Sequence, residues 1–161
     1  MKQIKLTREK YALVDDEDYE WLNQWKWYAN KGGNTYYAVR NMRCKNGKRT
    51  IVTMHREILK PKKELVCDHI NGNGLDNRRE NLRICTQAEN LYNRQPQKNT
   101  LSGFKGVHWH NRDKLWQARI TCNHKRINLG FFKRQVDAAR AYNKAALLYH
   151  GTFARLNEKT I

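Results

Sequence analysis

Val66-Cys67-Asp68-His69-Ile70-Asn71-Gly72-Asn73-Gly74, followed at 81–83 by Asn-Leu-Arg and at 86–90 by Thr-Gln-Ala-Glu-Asn, is the stretch that decides the fold. A short apolar run ends in a carboxylate beside an imidazole. Two Asn-Gly pairs then mark tight turns, because Asn and Gly tolerate the positive φ such turns demand. A second short strand follows. Thr86 and Glu89 then form the capping-box pattern that satisfies free N–H groups at a helix start. The order predicts strand, loop, strand, helix. Asp68 and His69 fall at the exit of the first strand and Asn90 one turn into the helix. A carboxylate and a carboxamide oxygen are hard donors of the kind Mg²⁺ accepts. An imidazole can take a proton from water near neutral pH. These are the parts of metal-assisted phosphodiester cleavage, in which the metal stabilises charge on the scissile phosphate and the departing oxygen. Taken singly, Asp-His and Asn-Gly are ordinary surface turns; the spaced set points to chemistry.

The set Asp68-His69-Ile70-Asn71-Gly72-Asn73, Asn77, Asn81-Leu82-Arg83 and Glu89-Asn90 resembles the HNH endonucleases, specifically the phage and intron-borne homing type. Upstream, Met54-His55-Arg56-Glu57-Ile58-Leu59 looks like the His-Arg segment preceding the motif in that family. The resemblance implies a ββα-metal (His-Me finger) fold. In it His69 is the general base, Asn81 pins the loop and orients His69, and Asp68 and Asn90 hold one divalent metal, Mg²⁺ or Mn²⁺. Many members of that family carry His where this chain has Asn90. Asn is a known variant there, and it implies somewhat weaker metal binding.

The 161 residues suffice for one ordinary domain or two small ones. The formal net charge is +17, and a surface that basic suits a polyanion, whose released counterions drive binding. Residues 1–97 carry 19 Lys+Arg against 12 Asp+Glu, and residues 98–161 carry 13 against 3, so the shorter piece is the denser cation. None of Cys44, Cys67, Cys85 and Cys122 forms a C-x-x-C pair, which argues against a zinc ribbon. Cys67 and Cys85, on the two predicted strands, read as small buried thiols in a reducing cytosol. No apolar run approaches membrane-spanning length and the N-terminus lacks a signal-peptide core. The expectation is a soluble cytoplasmic protein of a bacterial or phage-infected cell.

Ile4 to Val14 alternates loosely and reads as a strand or a hairpin with Thr7-Arg8-Glu9-Lys10 near its turn. The acidic run 15–18 suits a helix start, and Tyr19, Leu22, Trp25 and Tyr28 recur at helical spacing. Trp21, Trp25 and Trp27 are expected to pack a small core. Residues 36–43 and 49–54 read as strands joined by Lys45-Asn46-Gly47-Lys48, making a basic ribbon that could track a DNA backbone. His55–Leu59 reads as a short helix stopped at Lys60-Pro61. Residues 94–100 are polar, contain Pro96 and read as a linker.

Beyond it, 106–110, 115–121 and 126–131 read as three strands of an antiparallel meander. Alternation puts Trp116, Ala118 and Ile120 on one face and Gln117, Arg119 and Thr121 on the other. Val107, Trp109, Ile127 and Leu129 join the apolar face. A helix from Gln135 to His150 covers it with a stripe of Val136, Ala139, Tyr142, Ala145, Ala146 and Tyr149, and Gly151 ends it. Gly103-Phe104-Lys105-Gly106-Val107, Trp116-Gln117-Ala118-Arg119-Ile120, Leu129-Gly130-Phe131 and Ala138-Ala139-Arg140-Ala141-Tyr142 resemble the AP2 DNA-binding domain. That resemblance implies a three-stranded sheet laid in the major groove, with Lys105, His108, His110, Arg119, Thr121, Arg126 and Asn128 at the positions of DNA contact. Several differ from the arginine and tryptophan of plant AP2 factors, so the target sequence does not transfer.

The fold class expected is α+β: an HNH nuclease region at 1–97, with its metal motif at about 51–94 and an accessory β/α region at 1–50, then an AP2-like domain at 98–161. The function expected is site-directed endonucleolytic cleavage of double-stranded DNA by a monomer on DNA, with no small-molecule cofactor and no membrane partner. A DNA-binding regulator with a vestigial nuclease centre is the alternative. A third reading, an RNA-processing protein, fits less well, because the narrow major groove of duplex RNA does not admit a sheet.

Overall fold

Antiparallel pairing of β1 (Lys2–Lys5) with β2 (Tyr11–Val14) makes the first hairpin, and Arg8 and Glu9 take the left-handed backbone of its turn. The computed structural model describes residues 1–44, 46–96 and 100–158; Lys45 of the basic ribbon and residues 97–99 of the polar stretch lie outside them. Asp16, Glu17 and Asp18 open α1 (Asp16–Asn23), where the helix dipole favours negative charge. The helix is shorter than the spacing of Tyr19 to Tyr28 predicts. Trp27 turns inward, and its indole N–H donates to the Leu22 carbonyl at 2.8 Å, closing the helix end. Trp27 is 2% exposed, whereas Trp25 is 48% exposed and lies under the Arg40 guanidinium, so only one of the two joins the core. Tyr28 instead opens β3 (Tyr28–Gly32), which pairs with β4 (Thr35–Arg43), which pairs with β5 (Arg49–Thr53).

Next comes α2 (Met54–Leu59), ended by Lys60 in the left-handed region just before Pro61. The decisive stretch forms β6 (Val66–His69), a loop, a 3-10 turn at Arg79–Asn81 and β7 (Leu82–Cys85), antiparallel to β6. Ile4, Val14, Leu22, Trp27, Ala38, Met54 and Leu82 share one core. Within it β1, β2, α1 and β4 of the first fifty residues bury apolar side chains together with Met54 and Leu82 of the motif region.

The chain contacts divide into two units, Met1–Gln87 and Ala88–Ile161. The division falls at the start of α3 (Gln87–Asn93), upstream of the polar stretch where the sequence places the boundary. The cause is local packing inside the second unit. The Tyr92 ring stacks on His150, centroids 3.8 Å apart and nearly parallel.

In the second unit β8 (Val107–His110), β9 (Leu115–Cys122) and β10 (Lys125–Phe132) form the expected meander, in the order β10-β9-β8. A register shift between Asn128 and Gly130 interrupts the ladder. Val107, Ala118 and Ile120 are buried on the face packed by α4 (Gln135–His150). Gly106, at φ +75°, sits where a Cβ would lie 2.1 Å from the Tyr142 ring, so the sheet meets the helix only because this residue has no side chain. The buried stripe of α4 is Ala138, Ala139, Tyr142, Ala145, Ala146 and His150. Tyr149, expected in that stripe from its spacing, is 41% exposed. The inward step from Ala146 is four residues, to His150, rather than three. All four cysteines are free thiols. Among the described residues, no helix is long and apolar enough to cross a membrane.

Candidate active site

Pairing of β6 with β7 sets Asp68 opposite Arg83 and His69 opposite Leu82. The Arg83 guanidinium donates through Nε and a terminal nitrogen to Oδ2 of Asp68, at 2.8 and 2.7 Å. Both motif side chains are sheltered, Asp68 at 5% and His69 at 6% exposure. The His69 imidazole packs edge-on to that of His55, centroids 5.0 Å apart, and the Tyr37 ring lies 5.8 Å from His69 and 5.7 Å from His55. Three elements thus meet there: β6, α2 and β4. Burial lowers the pKa of His69, while the Asn77 side chain, Asp68 and Asp76 pull in the opposite direction. The base form of His69 is therefore kept at pH values where a free histidine would be half protonated. Burial pushes His55 down to about 3, helped by the charges of His69 and Arg56, and its ring nitrogen Nε2 lies 3.1 Å from the Thr53 hydroxyl. Burial also raises the Tyr37 hydroxyl, with Asp68 adding to the effect.

The loop between the strands is built by Asn81. Its Oδ1 accepts from the Asn71 N–H at 3.0 Å, its Nδ2 donates to the Asp76 carbonyl at 2.8 Å, and its own carbonyl accepts from Ile70 N–H at 2.9 Å. Asp76 in turn accepts from both Arg78 and Asn71. The hairpin anchors the loop from the other side, since Leu13 N–H donates to Leu75 and Asn77 N–H donates to Leu13. Arg79 forms a forked pair with buried Asp18 of α1, both bonds at 2.8 Å. Gly74 permits the closest approach: a Cβ there would lie 2.5 Å from the Tyr36 carbonyl and 2.6 Å from the Tyr37 ring. Asn81 thus ties together the loop that follows His69, while the rings of His55 and Tyr37 pack the imidazole itself.

His55 makes a thermodynamic prediction. Its pKa falls from the ordinary histidine value of 6.5 to about 3 in the fold, so the unfolded chain takes up the proton first as pH falls. Stability should decline on acidification from about pH 6.5 toward 3. The thermal midpoint of wild type is expected to drop across that window, and that of His55→Gln to drop less. Equal acid sensitivity in the two proteins would show that His55 is not the buried neutral group.

For a divalent metal the donor chemistry fits. Asp68 offers a carboxylate at the strand exit and Asn90 a carboxamide on α3. Among the described residues no cluster of three or more His, Cys, Asp or Glu could cage an ion. Two hard oxygen donors suit a cation that keeps several waters and takes phosphate oxygens, as Mg²⁺ does. Such an ion would share Asp68 with Arg83.

On the second unit, the strand registers set His108 beside Gln117, Arg119 beside Asn128 and Thr121 beside Arg126. His108, Arg119, Thr121, Arg126 and Asn128 are brought together on one face. Burial, then the charges of Arg119 and Arg126, lower His108, and burial with the charge of Arg126 lowers Arg119. Thr121, Arg126 and Asn128 are exposed. His110 lies 3.2 Å from the Asp113 carboxylate with its ring against Phe131. Lys105 is not part of this surface: its ammonium is directed to backbone carbonyls at the end of α3. Tyr37, His55, Asn77 and Arg83 have no role legible from the sequence pattern. His55 and Asn77 fall within the segments that carry the HNH resemblance, without a role of their own there, and Arg83 left a further signal, an opposite charge that antiparallel pairing would set across from Asp68.

A family model described as HNH endonuclease matches residues 60–92. Protein 3.8 of Escherichia phage T7 is 34% identical over 88 residues, 55% of this chain and 72% of that protein. An uncharacterized HNH endonuclease, L560, of Acanthamoeba polyphaga mimivirus is 29% identical over 149 residues, 92% of this chain and 75% of that protein.

Proposed function

We propose that this chain is a metal-dependent DNA endonuclease of the HNH type in which His69 is the general base, a reading supported by the HNH endonuclease family model that matches residues 60–92 and by the similarity to the mimivirus HNH endonuclease. The observation that carries this reading is a sheltered, deprotonation-prone His69 beside Asp68, on a loop tied down by Asn81. His69 takes the proton from the attacking water as the water's oxygen bonds to phosphorus and the bond from phosphorus to the departing sugar oxygen breaks. Asn81 keeps the loop, and hence the imidazole, from drifting. Asp68 and Asn90 hold one divalent ion, Mg²⁺ or Mn²⁺, a pairing that rests on the motif. When bound, that ion supplies charge stabilisation at the phosphate and the leaving oxygen. Arg83 limits the freedom of the Asp68 carboxylate through its two-pronged contact.

The second unit is the proposed reader. Its polar face of His108, Arg119, Thr121, Arg126 and Asn128, the AP2-like resemblance and the excess of cations all favour laying this sheet in a major groove, giving site-directed cleavage of the homing type. One motif per chain means one active site, so a monomer nicks one strand. Purified protein is expected to convert supercoiled plasmid to the nicked form with Mg²⁺ or Mn²⁺ and to leave it intact with chelator. Intact plasmid in every metal tested would overturn the reading.

A further inference from the structure

In the second unit, α3 has seven residues and no basic side chain in its last turn. A helix that short does not hold itself together in water, and its last carbonyls lack intrahelical partners. Lys105, from the segment before β8, supplies what the helix lacks. Its ammonium has three donors, and three carbonyls face it: Tyr92 at 2.5 Å, Arg94 at 2.7 Å and Leu91 at 3.5 Å. A cation at a helix C-terminus is favoured by the dipole as well as by these bonds. The backbone behind Lys105 is itself fixed, since its N–H donates to Oδ1 of Asn157 at 2.7 Å and its carbonyl accepts from Nδ2 of Asn157 at 3.1 Å. A second anchor acts on the same helix. Tyr92 stacks on His150, and its hydroxyl accepts from the Asn123 N–H at 3.2 Å. His150 is fixed in turn by a contact of 2.9 Å between its Nε2 and the Thr121 carbonyl.

We propose that Lys105 is a positioning residue for the nuclease reaction: its ammonium clamps the C-terminal end of α3 and so sets where the helix presents Asn90, one turn earlier. The proposal rests on the metal-holding role of Asn90. It places control of that ligand in the C-terminal unit, with a cation that the AP2 resemblance assigns to DNA. Burial, aided by the charges of Arg155 and Arg94, lowers Lys105 to about 8. That agrees with an ammonium enclosed by protein rather than one held out to phosphate.

The test compares full-length wild type, Lys105→Met, Lys105→Arg and Tyr92→Leu. Three readouts are taken: hydrogen exchange at the amides of α3, Mn²⁺ affinity, and the salt dependence of duplex binding. Lys105→Met keeps the stem and removes the charge. Exchange in α3 is expected to speed up at least tenfold and Mn²⁺ affinity to fall roughly tenfold, the scale on which outer supports act on a metal ligand. The slope of binding against salt should stay at the wild-type value. Lys105→Arg should recover part of both losses. Tyr92→Leu, which leaves Lys105 in place, should reproduce them and stands in if Lys105→Met does not fold. A salt slope shallower by about one unit with unchanged α3 exchange would mean a phosphate contact and would overturn the proposal. Faster exchange with unchanged Mn²⁺ affinity would also overturn it, leaving Lys105 a structural cap. Wild type that neither takes up Mn²⁺ nor cuts DNA would instead sink the nuclease reading, and the positioning role with it.

Discussion

His69→Ala is expected to slow DNA cleavage by roughly a hundredfold or more, the scale of a lost general base, while duplex binding remains. The separation follows from where the side chain stands. His69 is enclosed by His55 and Tyr37 in the first unit, whereas the polar cationic face belongs to the second. The truncation also opens a void beside His55, so the folded state must be checked by thermal unfolding. His69→Gln, which fills more of the space without a base, should be as inactive as His69→Ala. Wild-type cutting rates in both variants would remove His69 from the chemistry.

Asp68→Ala should abolish metal-dependent cleavage, the second large effect. Here the structure adds a complication to the motif. Removing the carboxylate also takes from the largely buried Arg83 guanidinium the partner it holds at 2.7 Å, and breaking a buried pair is costly. The loss could then come from unfolding. Asp68→Ala combined with Arg83→Met relieves that charge, so stability should recover in the double variant and activity should not. Asn90→Ala, whose side chain is not part of such a pair, should weaken activity and raise the metal concentration needed. Full activity in the combined Asp68→Ala, Asn90→Ala protein would exclude this metal site.

What the sequence made legible were the features encoded locally. Asn-Gly turns, a Thr-x-x-Glu start and short alternating runs gave β6, β7, α3 and the β8–β10 meander to within a residue or two, because each depends on neighbours in the chain. The ring cluster at His69 was not legible. Tyr37 and His55 reach it from separate elements, and no local pattern marks an aromatic as a neighbour of one far imidazole. The same is true of Asp18 and Arg79, sixty-one residues apart. The acidic run at 15–18 reads as a helix start and is one, yet Asp18 also ties that helix to the motif loop. Lys105 misled for a related reason. The AP2 resemblance sets it among the DNA contacts, yet Lys105 precedes β8, and its ammonium is directed to backbone carbonyls at the end of α3. The helix of Tyr19 to Tyr28 was overextended because a helical spacing of aromatics is equally produced by one helix turn followed by an inward-facing tryptophan.

The pH dependence of the cleavage rate tests the role of His69 most directly. With saturating metal and plasmid, the rate of nicking by wild type is expected to fall on the acid side with a midpoint below 6.5, because burial lowers the proton affinity of His69 and the base must be neutral to act. In His69→Ala and His69→Gln the residual rate should lack that acid limb. An unchanged acid limb in those variants, at a rate near wild type, would contradict a general base at His69.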